Sequence, residues 1–280
     1  MTSPARIRRT RPHRLNARPR ALTAAVLAAC AFGATSCSVL GPRPDAAVLE
    51  LARGTLAAAE ESDSLLRAQQ ADQLFDEVER LCGEPLPESC AVERTTDGVV
   101  PAGLKATVDA VDEVPEESAD LVAAQAVDLA VAENEPGATD EGAGDGTVDA
   151  DVALPDPEDV SVEGLTEEDA EALRELLSWE QALRYGLTSA AAWAGPQDAL
   201  VAAGDRRAAV LTALLEQADT PVPSPATGYE FEVAPAELPA RAAEDTAALW
   251  TRTAAGIGAD AVRAVVVSGA ANATLTNPTR

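Results

Sequence analysis

Helical periodicity is the feature that most constrains the fold of this chain. No stretch alternates convincingly with a period of two residues, and runs of β-branched residues are scarce. Apolar residues instead recur at helical intervals, most clearly at i, i+3, i+4, i+7 and i+11 in one run: Ala71, Leu74, Phe75, Val78 and Cys82. The sequence therefore predicts an all-α protein.

The predicted helices form two groups, an N-terminal helical module at 45–132 and a four-helix bundle at 166–280. In the first group, Ser62 is expected to cap the second helix, and Pro115 is expected to open the fourth. In the second group, Pro196 is expected to open a helix, and the short Gly256–Gly258 connection predicts that the last two helices are antiparallel. The ranges expected for this second group are 166–194, 196–218, 237–255 and 259–275.

An acidic stretch separates the two predicted groups. Fourteen acidic residues and no basic ones lie between Glu133 and Asp169, among several glycines and prolines. Such a stretch buries too little apolar surface to offset its chain entropy, so 133–165 is predicted to be a disordered linker. Its aspartates lack the spacing of a calcium loop. The second group then begins with a capping-box pattern from Thr166 to Asp169.

Charge and composition exclude several classes of function. The chain carries −26, and only 3% of its residues are aromatic. Seven arginines and no acidic residue precede Cys37, so the chain from Cys37 onward has 47 acidic and 14 basic residues. This acidic part of the chain, from Cys37 onward (the body), repels nucleic-acid phosphates and anionic lipid headgroups. The only histidine is His13, so imidazole catalysis and histidine-ligated metals are excluded from the body.

The first 36 residues have the pattern of an export signal. An arginine-rich start precedes a short apolar stretch, 21–34, and then small residues. The run Ala34-Thr-Ser-Cys37 resembles a bacterial lipobox, with alanine in place of the usual leucine. We therefore expect cleavage before Cys37, lipidation of Cys37, a tether at 37–44 and attachment to the outer face of the cytoplasmic membrane. Ordinary signal cleavage at the same bond, giving a secreted protein, is the alternative, and the sequence leaves the export route open.

Two cysteines remain in the body. Cys82 and Cys90 lie on either side of a short segment that contains Pro85 and Pro87. Because the predicted compartment is outside the cytoplasm, the pair is predicted to form a structural disulfide. Two cysteines without histidine are too few for a zinc site.

Charged residues on apolar helix faces are the candidate site. Glu180 lies on a stripe of leucines, and Arg207 lies on the facing stripe of the next helix. Counted from the turn at 195–196, the two positions differ axially by about 6 Å, a gap that arginine can span. The sequence predicts a buried ion-pair cluster of Glu180 and Arg207, with Glu244 or Asp245 from the third helix taking the remaining donors. No metal ligand and no cofactor are predicted.

The second predicted group carries several short motifs in sequence order: Trp179-Glu-Gln-Ala182, Tyr185, Arg206-Arg207, the proline-rich turn ending at Tyr229, and Glu244. In these motifs the segment 166–275 resembles the ferritin-like domain of unknown function found in bacterial envelope proteins, many of them lipoproteins. The resemblance implies a four-helix bundle without an established activity. The family often has histidines where this chain has Gln181 and about Ala203, so any role of those histidines does not transfer.

Two functions are consistent with the sequence. The favoured one is a non-catalytic binding or interaction module, held at the membrane by its lipid, whose partner is an unidentified envelope protein or ligand. The alternative is an oxidoreductase of the ferritin-like kind that binds iron or manganese through carboxylates alone. No motif for a catalytic nucleophile or a phosphate-binding loop is present.

Overall fold

The structure is a computed structural model that describes residues 8–9, 42–135 and 154–277. The described chain is mostly helical with almost no strand, which confirms the prediction of an all-α protein. The α-helices are α1 (Ala46–Ser62), α2 (Leu65–Cys82), α3 (Leu104–Asp109), α4 (Glu116–Asn134), α5 (Glu167–Ala194), α6 (Asp198–Gln217), α7 (Leu238–Gly256) and α8 (Asp260–Leu275).

Helices α1 and α2 form a hairpin with a two-residue turn. Asp45 caps α1, because its carboxylate accepts hydrogen bonds from the backbone N–H groups of the first turn. The helix ends at Ser62, and Asp63 adopts a left-handed conformation with φ of 51°. Ser64 then caps α2. The prediction that Ser62 caps the second helix was wrong, because Ser62 is the last residue of α1 and its hydroxyl donates to the Ala58 carbonyl.

Cys82 and Cys90 form a disulfide bond, as the sequence predicts. Their Cα atoms are 6.3 Å apart, and Cys90 is fully buried. A 3-10 turn, Glu88–Cys90, brings the second cysteine back against the end of α2. The bond therefore fixes the segment that leaves α2.

The acidic stretch is ordered at both of its described edges. Helix α4 begins after Pro115, which occupies the cap position, and continues to Asn134. After the stretch, Pro157–Asp159 form a 3-10 turn, and Val160 is buried in the hydrophobic core. Apolar side chains interspersed among the acids explain this order, because they let the segment bury one side against the core. The linker predicted at 133–165 is therefore too long at both ends, and 136–153 lie outside the described residues.

The C-terminal helices begin and end close to the predicted positions. Thr166 and Asp169 form the predicted capping box at the start of α5. Helix α6 begins at Asp198 instead of Pro196, since Gln197 has non-helical backbone angles. Helix α7 packs along α8, and α5 packs against both α6 and α7. Asp169 also accepts a 2.8 Å hydrogen bond from the N–H of Gly258, which ties the start of α5 to the α7–α8 turn.

The two groups of helices share one hydrophobic core. Helix α4 packs against α7 and α8, and residues such as Phe75, Val122 and Val266 belong to the same buried cluster. Arg263, fully buried on α8, reinforces this contact. Its guanidinium donates to the carbonyls of Ile257 and Val108 and forms an ion pair with Asp112. The predicted modules are therefore packed against each other.

Two further features complete the description. The two-residue strands β1 (Arg8–Arg9) and β2 (Tyr229–Glu230) pair antiparallel, with Arg8 opposite Glu230 and Arg9 opposite Tyr229. Within the described ranges, no helix combines the length and apolar character needed to cross a membrane.

Candidate functional site

The centre of the C-terminal group holds a buried ion pair between α5 and α6. The Arg207 Nε atom lies 2.7 Å from Glu180 Oε1, and its Nη2 atom lies 3.1 Å from Glu180 Oε2. Glu180 is 1% exposed and Arg207 is 3% exposed. The guanidinium therefore binds the carboxylate with both prongs of its fork, which is the strongest geometry for such a pair. The ion pair that the sequence predicts between these two residues is present.

The other two helices complete the hydrogen bonds of this pair. Trp250 on α7 donates its indole N–H to Glu180 Oε1 at 2.8 Å. Asn272 on α8 accepts from Arg207 Nη1, also at 2.8 Å. Trp250 and Asn272 are themselves fully buried. Each of the four helices thus contributes one side chain to what we call the Glu180–Arg207 cluster, which comprises Glu180, Arg207, Trp250 and Asn272.

Two glycines make room for the Glu180–Arg207 cluster. A Cβ atom on Gly204 would lie 3.1 Å from Glu180 Oε2, so the carboxylate approaches the backbone of α6 closely. A Cβ atom on Gly269 would lie 2.1 Å from Cζ3 of the Trp250 ring, which is an impossible contact. The positions of the carboxylate and the indole therefore depend on the absence of side chains at these two positions.

Glu244 and Asp245 do not belong to the cluster, contrary to the prediction. Glu244 is exposed and forms a 3.4 Å ion pair with Arg241 on its own helix. Asp245 is half-buried, and its Oδ2 atom has no hydrogen-bond partner among the described residues. The face of α7 that packs inward carries Ala242, Thr246 and Trp250, so the two acids fall on other faces. The third helix contributes an indole where a carboxylate was expected.

The donor set does not fit a carboxylate-bridged metal pair. Such sites need several carboxylates, usually with histidines, that converge on the metals. Here both oxygens of Glu180 already accept hydrogen bonds from a guanidinium, and a cation would have to displace that positive group. Among the described residues, no three His, Cys, Asp or Glu side chains come together in a way that could hold a metal ion. The chemistry available at this cluster is electrostatic and structural.

The three tryptophans of the C-terminal group differ in their surroundings. Trp250 is fully buried. Trp179 is half-buried, and its indole N–H donates to Thr246 at 2.8 Å, which joins α5 to α7. Trp193 is 68% exposed. It is the second-last residue of α5, and its side chain faces solvent.

Trp193 lines a groove of about 330 Å³ that the sequence did not reveal. Tyr185, Tyr229, Phe231 and Leu238 are among the other lining residues. The proline-rich connection after α6 crosses α5 at Gly186, where a Cβ atom would lie 2.6 Å from the Phe231 ring. In the sequence, the aromatic residues near 185 and 229 were the available signal for this groove. Only the crossing of α5 by the proline-rich connection shows that they lie together.

Cys37, the residue predicted to carry the lipid, lies outside the described residues, as does most of the predicted signal segment 1–36. The lipidation of Cys37 stays a prediction. Comparison of the chain with protein-family models, with curated proteins and with solved structures finds no match in any of the three.

Proposed function

We propose that this protein is a cell-envelope lipoprotein whose C-terminal helices form a metal-free, ferritin-like bundle that acts as a non-catalytic binding or interaction module. The observation that carries the proposal is the Glu180–Arg207 cluster. The carboxylate that a ferritin-like bundle would present to a metal is held here by a guanidinium at 2.7 and 3.1 Å. Arginine keeps its charge at ordinary pH, so it does not release the Glu180 carboxylate by losing a proton.

The cluster supports a structural role for the bundle interior. A buried carboxylate needs a partner, and Glu180 has both Arg207 and the Trp250 indole. Because the buried polar groups of the Glu180–Arg207 cluster are satisfied by one another, we expect a partner or ligand to bind at the surface. The surface is acidic, and it carries the aromatic groove around Trp193. A binding function at the surface fits these features better than chemistry in the interior.

The proposal of membrane attachment is supported by the sequence alone. The arginine-rich start, the short apolar stretch and the placement of Cys37 are typical of a lipoprotein signal. Stable anchoring needs more than one acyl chain, as lipoproteins have. The protein is expected at the outer face of the cytoplasmic membrane, and nucleic acid is not an expected partner. Secretion without lipid is the alternative.

Anchoring is tested by replacing the lipidated residue. Full-length wild-type protein and the Cys37→Ala variant are expressed in the native host, and membrane and culture medium are assayed separately. The wild type is expected in the membrane fraction and the variant in the medium. A variant retained in the membrane as fully as the wild type would contradict the lipoprotein assignment.

The metal-free assignment is tested by elemental analysis. Wild-type protein purified from its native host is expected to contain iron and manganese only far below one atom per chain. The Arg207→Met variant is the informative comparison, because it leaves Glu180 without its guanidinium. Stoichiometric metal in the wild-type protein would favour the alternative, a carboxylate-bound iron or manganese oxidoreductase.

A further inference from the structure

The segment that follows the proline-rich connection presents an extended edge. Tyr229 is buried, Glu230 is exposed, Phe231 is half-buried and Glu232 is exposed. Only Tyr229 and Glu230 form a strand, and the alternation of buried and exposed side chains continues past it to Glu232. The Tyr229 hydroxyl accepts from the Ala226 N–H at 3.0 Å, and its ring lies 5.6 Å from that of Tyr185. The inner side chains therefore fix the segment on α5.

The inner face of this edge opens onto the aromatic groove. Tyr229 and Phe231 are shared between the edge and the groove, and Tyr185 and Trp193 also line the groove. These two residues are 44% and 68% exposed. Two exposed aromatic side chains beside a groove mark a surface suited to an apolar side chain from outside.

The outer face of the edge is acidic. Glu230 and Glu232 are both exposed, the first in the strand and the second at the bend two residues later. No lysine or arginine occurs in the sequence between Arg207 and Arg241, so these acids have no basic neighbour along the chain. The surface thus favours a basic ligand.

The structure also contains an extended basic segment paired with this edge. The backbone of Arg8–Arg9 pairs antiparallel with Tyr229–Glu230, and Arg8 lies opposite Glu230. We propose that the edge formed by 229–232, with the groove beside it, binds an extended basic peptide segment of a partner protein by strand addition. Main-chain hydrogen bonds then supply affinity, and the alternate side chains supply specificity.

The register defines the pattern that the edge recognises. In a bound peptide that continues this register, the residues opposite Glu230 and Glu232 would lie beside the acids, and the residue between them would lie opposite Phe231 beside the groove. The recognised pattern is therefore basic–apolar–basic. The sequence itself carries this pattern at Arg6-Ile7-Arg8.

This inference rests on the proposed function, because it names the partner class of the proposed interaction module. If the signal is removed before Cys37, Arg8 and Arg9 leave with it and the edge becomes available to a partner. While the signal is attached, the same edge is occupied from within the chain. A partner segment and the chain's own segment at Arg8–Arg9 should therefore compete for this edge.

The test uses a fluorescent peptide of residues 4–13 and the full chain. The wild-type chain is compared with an Arg8→Glu/Arg9→Glu variant, in which the internal segment is repelled by the acidic edge. The variant should bind the peptide several-fold more tightly, because internal competition is lost. Adding Glu230→Gln/Glu232→Gln to that variant should weaken binding about tenfold, as expected for two cross-strand charge pairs. The matched change Glu84→Gln/Glu88→Gln, in the disulfide loop, should have no effect.

Two altered peptides separate strand addition from simple charge attraction. One has the same composition with its basic residues moved out of the alternating pattern. The other carries backbone N-methyl groups at Arg8 and Arg9, one of which must face the edge because successive N–H groups point to opposite sides. Both should lose most of their affinity. Equal binding of all three peptides, or no binding to a variant with unchanged helical circular dichroism, would overturn the inference.

The outcome is separable from that of the proposed function. Peptide binding is measured without membranes and does not require a lipid on Cys37. A Cys37→Ala protein that is retained in the membrane but binds the peptide contradicts the lipoprotein assignment alone. A lipid-anchored, metal-free protein that ignores the peptide contradicts this inference alone.

Discussion

The two groups of helices bury polar side chains by different means. In the N-terminal group, Gln70 and Gln125 join α2 to α4 reciprocally, each amide donating to the other's backbone carbonyl at 3.1 Å. In the C-terminal group, Glu180 and Arg207 join α5 to α6 through opposite charges at 2.7 and 3.1 Å. Both pairs lie at helix contacts from which solvent is excluded.

The comparison shows why loss of one partner should have unequal consequences. An amide that loses its partner leaves a neutral group unsatisfied, whereas a lost guanidinium leaves a buried charge. Arg67 in the N-terminal group lies between these two cases, because it is a buried charge with neutral hydrogen-bond partners. It is 6% exposed, its described hydrogen-bond acceptors, Gln70 and the Ala102 carbonyl, are neutral, and burial lowers its pKa below the usual value.

The largest expected effect comes from breaking the buried charge pair. Arg207→Met keeps much of the volume of the side chain but leaves Glu180 with only the Trp250 donor. We expect the free energy of unfolding to fall by about 3–5 kcal/mol, measured by urea denaturation of the full chain. The control is Arg252→Met, because Arg252 is exposed on α7. If the two variants unfold at the same urea concentration, the charge pair contributes nothing to stability.

A smaller effect is expected from crowding the indole that completes the same cluster. Gly269→Ala would place a Cβ atom 2.1 Å from the Trp250 ring, so the ring must move away from Glu180. We expect a loss of about 1–3 kcal/mol, together with a change in the near-UV circular dichroism of tryptophan. Gly256→Ala is the matched control, since its Cβ would meet nothing within 4 Å. An unchanged tryptophan signal in Gly269→Ala would show that the ring does not depend on this glycine.

The sequence predicts the charge pair because its geometry depends on local features. The leucine stripes fix which faces of α5 and α6 turn inward, and the turn after Gly195 sets the antiparallel register. Glu180 and Arg207 therefore come within reach of each other for any close packing of these two helices. The helix ends follow equally local signals, such as the Thr166 capping box.

The partners from α7 and α8 could not be predicted in the same way. Alanines occur on several faces of α7, so the apolar pattern does not decide whether Asp245 or Trp250 faces the cluster. Asn272 gives no local signal at all, because a single asparagine in a helix is equally compatible with solvent. The crossing that builds the groove at Gly186 depends on the path of a proline-rich connection, which only tertiary packing fixes.

The neutral pair of the N-terminal group should be the more tolerant of the two. Gln125→Leu removes the donors to the Gln70 carbonyl and to Gln73 but leaves the Gln70 side chain bound to the backbone at 125. It also removes an amide oxygen that has no partner among the described residues. We expect a loss of about 1.5 kcal/mol, with exposed Gln69→Leu as the control. A loss as large as that of Arg207→Met would contradict the distinction between neutral and charged pairs.

The smallest effect, and the only one that depends on pH, concerns Glu77 on α2. The exposed Arg80 guanidinium donates to both oxygens of this buried carboxylate, at 2.6 and 2.7 Å, and the Ser118 hydroxyl on α4 donates at 2.5 Å. The hydrogen bonds from Arg80, with help from Ser118, hold the pKa of Glu77 below its usual value. The folded protein therefore binds the proton more weakly than the unfolded chain does. The stabilisation is complete above the ordinary pKa of a glutamate and is lost as the pH falls through the lowered pKa.

Glu77→Gln tests this pH dependence. At pH 7 the variant should be less stable by about 1 kcal/mol, a modest figure because half of the Arg80 side chain is in solvent. In urea denaturation at successively lower pH, the difference from the wild type should shrink, since protonation of Glu77 removes the same charge that the substitution removes. Exposed Glu79→Gln on the same helix is the control. A difference that stays constant from neutral to acidic pH would mean that Glu77 stabilises the contact between α2 and α4 by its shape and not by its charge. Glu77 would then belong with the neutral amides of the N-terminal group.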